Sequence, residues 1–238
     1  MAATSASEAG GSGRDSRRPV RTYVAIGDSF TAGAAEDEEP EDHATKLWAD
    51  ELAEALRAAA PDGELTYRNL AVARASAPEV AEGQIQPALE LEPDLVTVFC
   101  GANDVLLSLR PDIDAFREAL SEIFGSLREG VPEATIITAT CPDLQFVPLH
   151  PRSRERVRQG MDAVSQVIRE LADSYDVLCL DFANNPETGR RENYAGDGIH
   201  LSEEGRRRTA AAFAQALDEV VGVAIDRRQL ELDSEEEG

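Results

Sequence analysis

The chain has 238 residues, 42% of them hydrophobic and 29% charged, which suits a soluble globular protein with one full-sized core. Its 46 acidic residues against 23 basic ones leave a formal net charge of −23. Such a field repels phosphates and excludes nucleic acid and anionic membrane as expected partners. No apolar run reaches membrane-spanning length and no apolar signal core opens the chain, so no membrane insertion and a cytoplasmic location are expected.

Residues 1–19 form a low-complexity Ala/Ser/Gly stretch, expected to be a disordered tail. Thr22-Tyr-Val-Ala-Ile-Gly-Asp-Ser-Phe30 then reads as a buried strand over 22–26 that stops at Gly27 and delivers Ser29 to its carboxyl end. Gly33 and the acidic stretch 35–42 follow, either rimming an entrance or forming a solvated connection. Over 44–59, Leu47, Trp48, Leu52, Ala55 and Leu56 recur at three- and four-residue steps, with Asp50, Glu51 and Glu54 between them. That spacing predicts an amphipathic helix, which Pro61-Asp-Gly63 ends.

Further strands are predicted over 65–72, 95–100, 135–140 and 177–182, and helices over 78–91, 113–129, 153–174 and 203–223. Leu95-Val-Thr-Val-Phe-Cys100 and Thr135-Ile-Ile-Thr-Ala-Thr140 are short and rich in β-branched residues, as befits strands buried on both faces of a parallel sheet. The loop 143–152 carries Phe146, Val147 and Leu149, which either wall a pocket or pack beneath the loop itself. Ser202 is placed to cap the last helix, with Glu203 and Glu204 in its first turn. Residues 226–238 end in an acidic run and are expected to be a solvated tail. The remaining 20–225 is thus one α/β domain, a three-layer α/β/α sandwich on a five-stranded parallel sheet with right-handed crossovers.

Ligands bind such sheets beyond the carboxyl ends of the strands. Gly27-Asp-Ser29 follows the first strand, Ala73-Arg-Ala75 the second, Gly101-Ala-Asn-Asp104 the third, and Asp197 and His200 the fifth. All fall on one rim. A serine hydroxyl becomes a nucleophile when a base takes its proton and N–H donors receive the oxyanion. The plainer reading of Asp28-Ser29 is ordinary turn or helix-cap chemistry. Asp197 and His200, three residues apart in a turn, let a carboxylate fold back onto its own imidazole, against the plainer reading of an exposed loop histidine. Asn103 offers a side-chain amide to an oxyanion, or else caps its own loop. His43, beside Glu41 and Asp42, and His150, in a proline-rich loop, are weaker candidates for the base. Cys100, Cys141 and Cys179 are an odd count in apolar runs, read as buried reduced thiols. No ligand cluster at metal-binding spacing is seen, and no cofactor is expected.

Gly27-Asp-Ser-Phe30, Gly101-Ala-Asn-Asp104 and Asp197-Gly-Ile-His200, in this order, resemble the first, third and fifth sequence blocks of the SGNH hydrolases, the GDSL esterases and lipases, over about residues 20–222. The resemblance implies a flavodoxin-like fold and a carboxylic ester hydrolase acting on a small-molecule ester. Ser29 would be the nucleophile and an oxyanion donor, His200 the general base and then acid, Asp197 its orienting partner, and Asn103 a second oxyanion donor. Gly27, Asp28, Gly101 and Asp104 would support them. One block departs: Asn69-Leu-Ala-Val-Ala-Arg74 places arginine where the family pattern has the glycine whose N–H completes the oxyanion hole. Arg74 retains a backbone N–H, but a positive φ there would cost a residue with a side chain roughly 1 kcal/mol or more. Its guanidinium either favours an anionic substrate or faces solvent. The alternative function is a non-hydrolytic binding or regulatory protein of this fold, its oxyanion hole altered at Arg74.

Overall fold

The computed structural model describes residues 18–33 and 46–230. His43, the acidic stretch 35–42 and most of both expected tails lie outside the described residues. Five strands form one all-parallel sheet: β1 (Thr22–Gly27), β2 (Thr66–Asn69), β3 (Leu95–Phe99), β4 (Thr135–Ala139) and β5 (Leu178–Leu180). Their spatial order is β2-β1-β3-β4-β5. This is the flavodoxin-like order, whose reversal between β1 and β3 opens a crevice at their carboxyl ends. β1, β3 and β4 are buried almost throughout, which is why they read as continuous apolar runs. The edge strands β2 and β5 are shorter than their sequence patterns, because each has a partner on one side only.

Seven α-helices stand beside the sheet among the described residues: α1 (Ser29–Ala32), α2 (Trp48–Ala59), α3 (Ala77–Leu89), α4 (Ala102–Leu106), α5 (Ile113–Gly130), α6 (Pro151–Ser174) and α7 (Glu203–Ala216). α2 packs on α7 as one outer layer, while α3, α5 and α6 pack side by side as the other. α2 starts at Trp48, where the Asp50 carboxylate turns back to accept the N–H of Leu47 at 2.9 Å. The expected long last helix instead passes at Leu217 into a single π-turn and stops at Gly222, which takes a left-handed φ of 72°.

Packing also runs past both expected domain edges. Arg18 pairs with Val223 in an isolated bridge, and its guanidinium donates to the Thr135 hydroxyl at 2.9 Å. Beyond residue 225, the N–H of Asp226 donates to Ala55 at 3.1 Å and Leu230 is buried. The three cysteines are free, with Cys100 and Cys141 buried and Cys179 half-buried.

Beneath the carboxyl end of β1 and β3 lies an aromatic cluster. Phe30 stacks on Phe99 at 5.2 Å between ring centroids, and Trp48 stacks on Phe213 at 4.5 Å. The buried Trp48 Nε1–H donates to the Phe30 carbonyl at 2.8 Å, so the floor of the crevice is bonded to the turn that follows β1.

Candidate active site

β1 ends at Gly27, which adopts φ 143° and passes so close to β3 that a Cβ there would sit 2.1 Å from the Phe99 carbonyl oxygen. Only glycine fits. The chain then turns into α1, with Asp28 as its cap: the Asp28 carboxylate accepts the N–H of Phe30 at 3.0 Å. Ser29 is the first residue of α1, a position whose N–H has no intrahelical acceptor. It is buried to 8% exposure. The N–H of Asp28 donates to the Phe99 carbonyl at 3.2 Å, tying this turn to the end of β3.

After β3, Gly101 caps α4 at φ 122°, where a Cβ would collide with Val164 and Phe116. Asn103, buried, lies in the first turn of α4. Its Nδ2 donates to the Ala75 carbonyl at 3.0 Å, 28 residues away, so it spans two rim loops rather than capping its own. One of its two amide hydrogens remains for another acceptor. Asp104 accepts the N–H of Ala77 at 3.1 Å, which fixes the start of α3. Arg74 itself takes φ 68°, the left-handed conformation ordinarily left to glycine. Its side chain is exposed and finds no partner among the described residues.

Asp197 and His200 meet as the spacing predicts. Asp197 Oδ2 lies 2.5 Å from His200 Nδ1, while Oδ1 accepts the N–H groups of Ile199 at 2.8 Å and His200 at 3.0 Å. Burial acts to raise the Asp197 carboxyl, but these donors outweigh it and hold it below the usual carboxylate range. Gly198 permits the turn with φ 74°, pressed against the Phe146 backbone. A bridge between Tyr194 and Leu201 closes the loop around it. His150 caps α6 through the N–H of Arg152 and takes no part.

Two buried carboxyls lie under this rim. Asp28, with no exposure, is pushed up to about 7 by burial, with ionised Asp104 adding to the rise. Asp104 is pushed up to about 6, again by burial. Burial also raises the thiols of Cys100 and Cys141. Burial thus keeps these two thiols protonated, the unreactive form of cysteine. Among the described residues no group of three or more His, Cys, Asp or Glu is placed to hold a metal ion.

Two hollows open beside these loops. One, of about 330 Å³, is lined by Phe30 and Leu201, the sequence neighbours of Ser29 and His200, with Phe99, Phe182 and Tyr194. The other, of about 470 Å³, is lined by Arg74, Ala75, Val72, Gln84 and Leu107. Both are in the size range of small-molecule sites. Of the loop 143–152, Val147 is buried and Phe146 packs 5.6 Å from the Tyr194 ring, so these apolar residues pack under the loop. Sequence reasoning missed Gln84. Its one signal was a polar residue at a core position of α3, in step with the buried Val80, Ile85 and Ala88.

The sheet order and the Asp–His pair are those of an α/β hydrolytic site on a flavodoxin-like fold. The chain belongs to the GDSL-like Lipase/Acylhydrolase family, whose model matches residues 25–208, and it is a carboxylic ester hydrolase. Among solved structures it is similar to a lipase/acylhydrolase from Enterococcus faecalis, at 23% identity and a TM-score of 0.64 over 83% of this chain and 95% of that one. An acetylxylan esterase from Geobacillus stearothermophilus matches at 21% identity and a TM-score of 0.64, covering 85% of this chain and 96% of the esterase. LAE5, an α/β hydrolase enzyme from the metagenome of Lake Arreo, Spain, matches at 22% and 0.63, covering 82% and 94%. At these identities the likeness is one of fold. No curated protein matches the sequence. Among the described residues, no helix is long and apolar enough to cross a membrane.

Proposed function

We propose that the chain hydrolyses small carboxylic esters through an acyl-Ser29 intermediate, without a cofactor. Ser29 Oγ attacks the acyl carbon while His200 Nε2 takes its proton. The imidazolium that forms is held by the Asp197 carboxylate. His200 then protonates the departing alcohol, and a water molecule, activated by the same nitrogen, repeats the attack and frees the acid. The oxyanion is received by the N–H of Ser29, by Asn103 Nδ2 and by the N–H of Arg74. The supporting groups are Gly27, Asp28, Gly101 and Asp104, which fix the two turns.

The observation that carries this reading is the 2.5 Å contact of His200 Nδ1 with Asp197, which leaves the other ring nitrogen as the base. Arg74 is compatible with it. Its φ of 68° keeps the backbone shape a glycine would give, so the substitution does not in itself remove the third donor. The reading assigns the activity to the one domain expected over 20–225. The three free cysteines support a reducing, cytoplasmic setting.

The test is hydrolysis of p-nitrophenyl acetate and longer homologues by the wild type, Ser29→Ala and His200→Ala. Turnover in the wild type should fall by at least about 10³-fold in each variant. A folded wild type that neither turns over these esters nor takes up a fluorophosphonate at Ser29 would instead support the non-hydrolytic alternative.

A further inference from the structure

Parallel strands donate and accept along both edges, and β1 loses its neighbour early on one of them. The register between β1 and β2 ends at the Ala25–Asn69 pair. One step further the departing chain still reaches the Gly27 carbonyl, through the N–H of Val72 at 3.1 Å, but offers nothing to the Gly27 N–H. That donor is buried, two residues before Ser29, in the peptide that sets the direction of the turn. Gln84 supplies what the missing strand does not. Its Oε1 accepts the Gly27 N–H at 2.7 Å, and its Nε2 donates to the Gly27 carbonyl at 2.9 Å. The side chain is 3% exposed and comes from α3, an element otherwise packed on the sheet through apolar residues. A primary amide reproduces the paired donor and acceptor of a strand, and a buried polar residue on an apolar helix face is retained at a cost that only such a bond offsets.

We infer that Gln84 is a positioning residue for the nucleophile: its amide acts as a one-residue strand that holds the Gly27 peptide, and through it the direction of Ser29. The inference rests on the assignment of Ser29 as nucleophile and adds a residue to the reaction that does not touch substrate. Gln84 also lines the hollow that Arg74 and Ala75 line. Opposite it, β3 holds the turn from the other edge through the Asp28 N–H and Phe99 carbonyl. With both edges held, the turn has one orientation. With Gln84 gone the Gly27 peptide keeps only the Val72 bond on that edge, while the turn beyond it is held by the β3 tether and by the bonds of Trp48 to Phe30 and Asn69 to Thr31.

The experiment is steady-state kinetics on p-nitrophenyl acetate for the wild type, Ser29→Ala, Gln84→Met and Gln84→Glu, with melting temperatures for each. Gln84→Met keeps the volume and loses both bonds. A misplaced nucleophile should lower its kcat by about 10- to 100-fold, with KM within about twofold of wild type. Gln84→Glu, when ionised, still accepts from Gly27 N–H but sets a second anionic oxygen against the Gly27 carbonyl. Protonated, it can both accept and donate. Measured well below the melting temperature of both proteins at each pH, the ratio of its kcat to that of wild type should therefore rise as pH falls, whereas a merely structural role leaves it flat. Should Gln84→Met fail to fold, the pH trend of Gln84→Glu decides. Wild-type kcat in Gln84→Met, a loss confined to KM, or a flat Gln84→Glu ratio would overturn the inference while leaving Ser29 in place. An inactive wild type with Ser29 unlabelled by fluorophosphonate would overturn the underlying assignment instead.

Discussion

Replacing Asp28 with asparagine should shift the stability balance toward the variant as pH rises from 4.5 to 8. The Asp28 carboxyl is wholly buried, its Oδ1 accepts the N–H of Phe30, and its Oδ2 has no hydrogen-bond partner. Burial, with a smaller push from the neighbouring Asp104, overcomes the backbone N–H groups of Phe30, Gly101 and Asp28 and raises it from 3.8 to about 7. An acid with a raised folded value holds its proton longer in the native state than in the unfolded one. Below about pH 4 both states are protonated and no stability is lost. Between about 4 and 7 the unfolded state sheds its proton first, so stability falls as pH rises, and above 7 the whole cost stands. Moving a carboxyl from 3.8 to about 7 corresponds to roughly 4 kcal/mol at about 1.4 kcal/mol per tenfold change in proton affinity. Asparagine caps a helix as well as aspartate does and does not titrate. Its Nδ2 would stand near the unpartnered Oδ2 position at a cost of about 1–3 kcal/mol that is independent of pH. The slope, not the offset, is therefore diagnostic. Urea unfolding of both proteins from pH 4.5 to 8 should show the stability difference moving in favour of Asp28→Asn by about 2–4 kcal/mol. A difference constant across that range would refute the reasoning.

Two further outcomes follow from the rim. Arg74→Gly should raise stability by roughly 0.5–1 kcal/mol in thermal melts, because it relieves a left-handed residue, and should leave kcat largely intact because the N–H remains. A destabilised or inactive Arg74→Gly would mean that the guanidinium itself has a role. Asn103→Ala should lower kcat by about 10²–10³-fold with a modest change in KM. It should also loosen the Ala75 loop, which a lowered melting temperature would register.

Much of this architecture could be read from residue types, for identifiable reasons. β1, β3 and β4 are buried on both faces, so their β-branched runs stand out, and helices such as α5 show their periodic apolar faces plainly. The Asp197–His200 pair was legible because it is local: three residues and one glycine turn bring the partners together. What stayed hidden depends on contacts distant in sequence. The bond from Asn103 to Ala75 spans 28 residues and that from Gln84 to Gly27 spans 57, and no local pattern names either partner. The short helices α1 and α4 were not predicted, since four or five residues are too few to show a period and are fixed by their caps and glycines. Edge strands read too long because apolar patterning continued after the hydrogen-bonding neighbour had turned away.

Trp48 is the only tryptophan in the chain, fully buried, and its indole N–H is bonded to the carbonyl of the residue that follows Ser29. The protein thus carries a single tryptophan, selectively excitable beyond the absorption of its tyrosines, bonded to the turn where its chemistry is assigned. Its emission comes from one known environment rather than an average over several. A displacement of the Ser29 turn that breaks this bond should change that emission in the unmodified chain, and unfolding should change it as well.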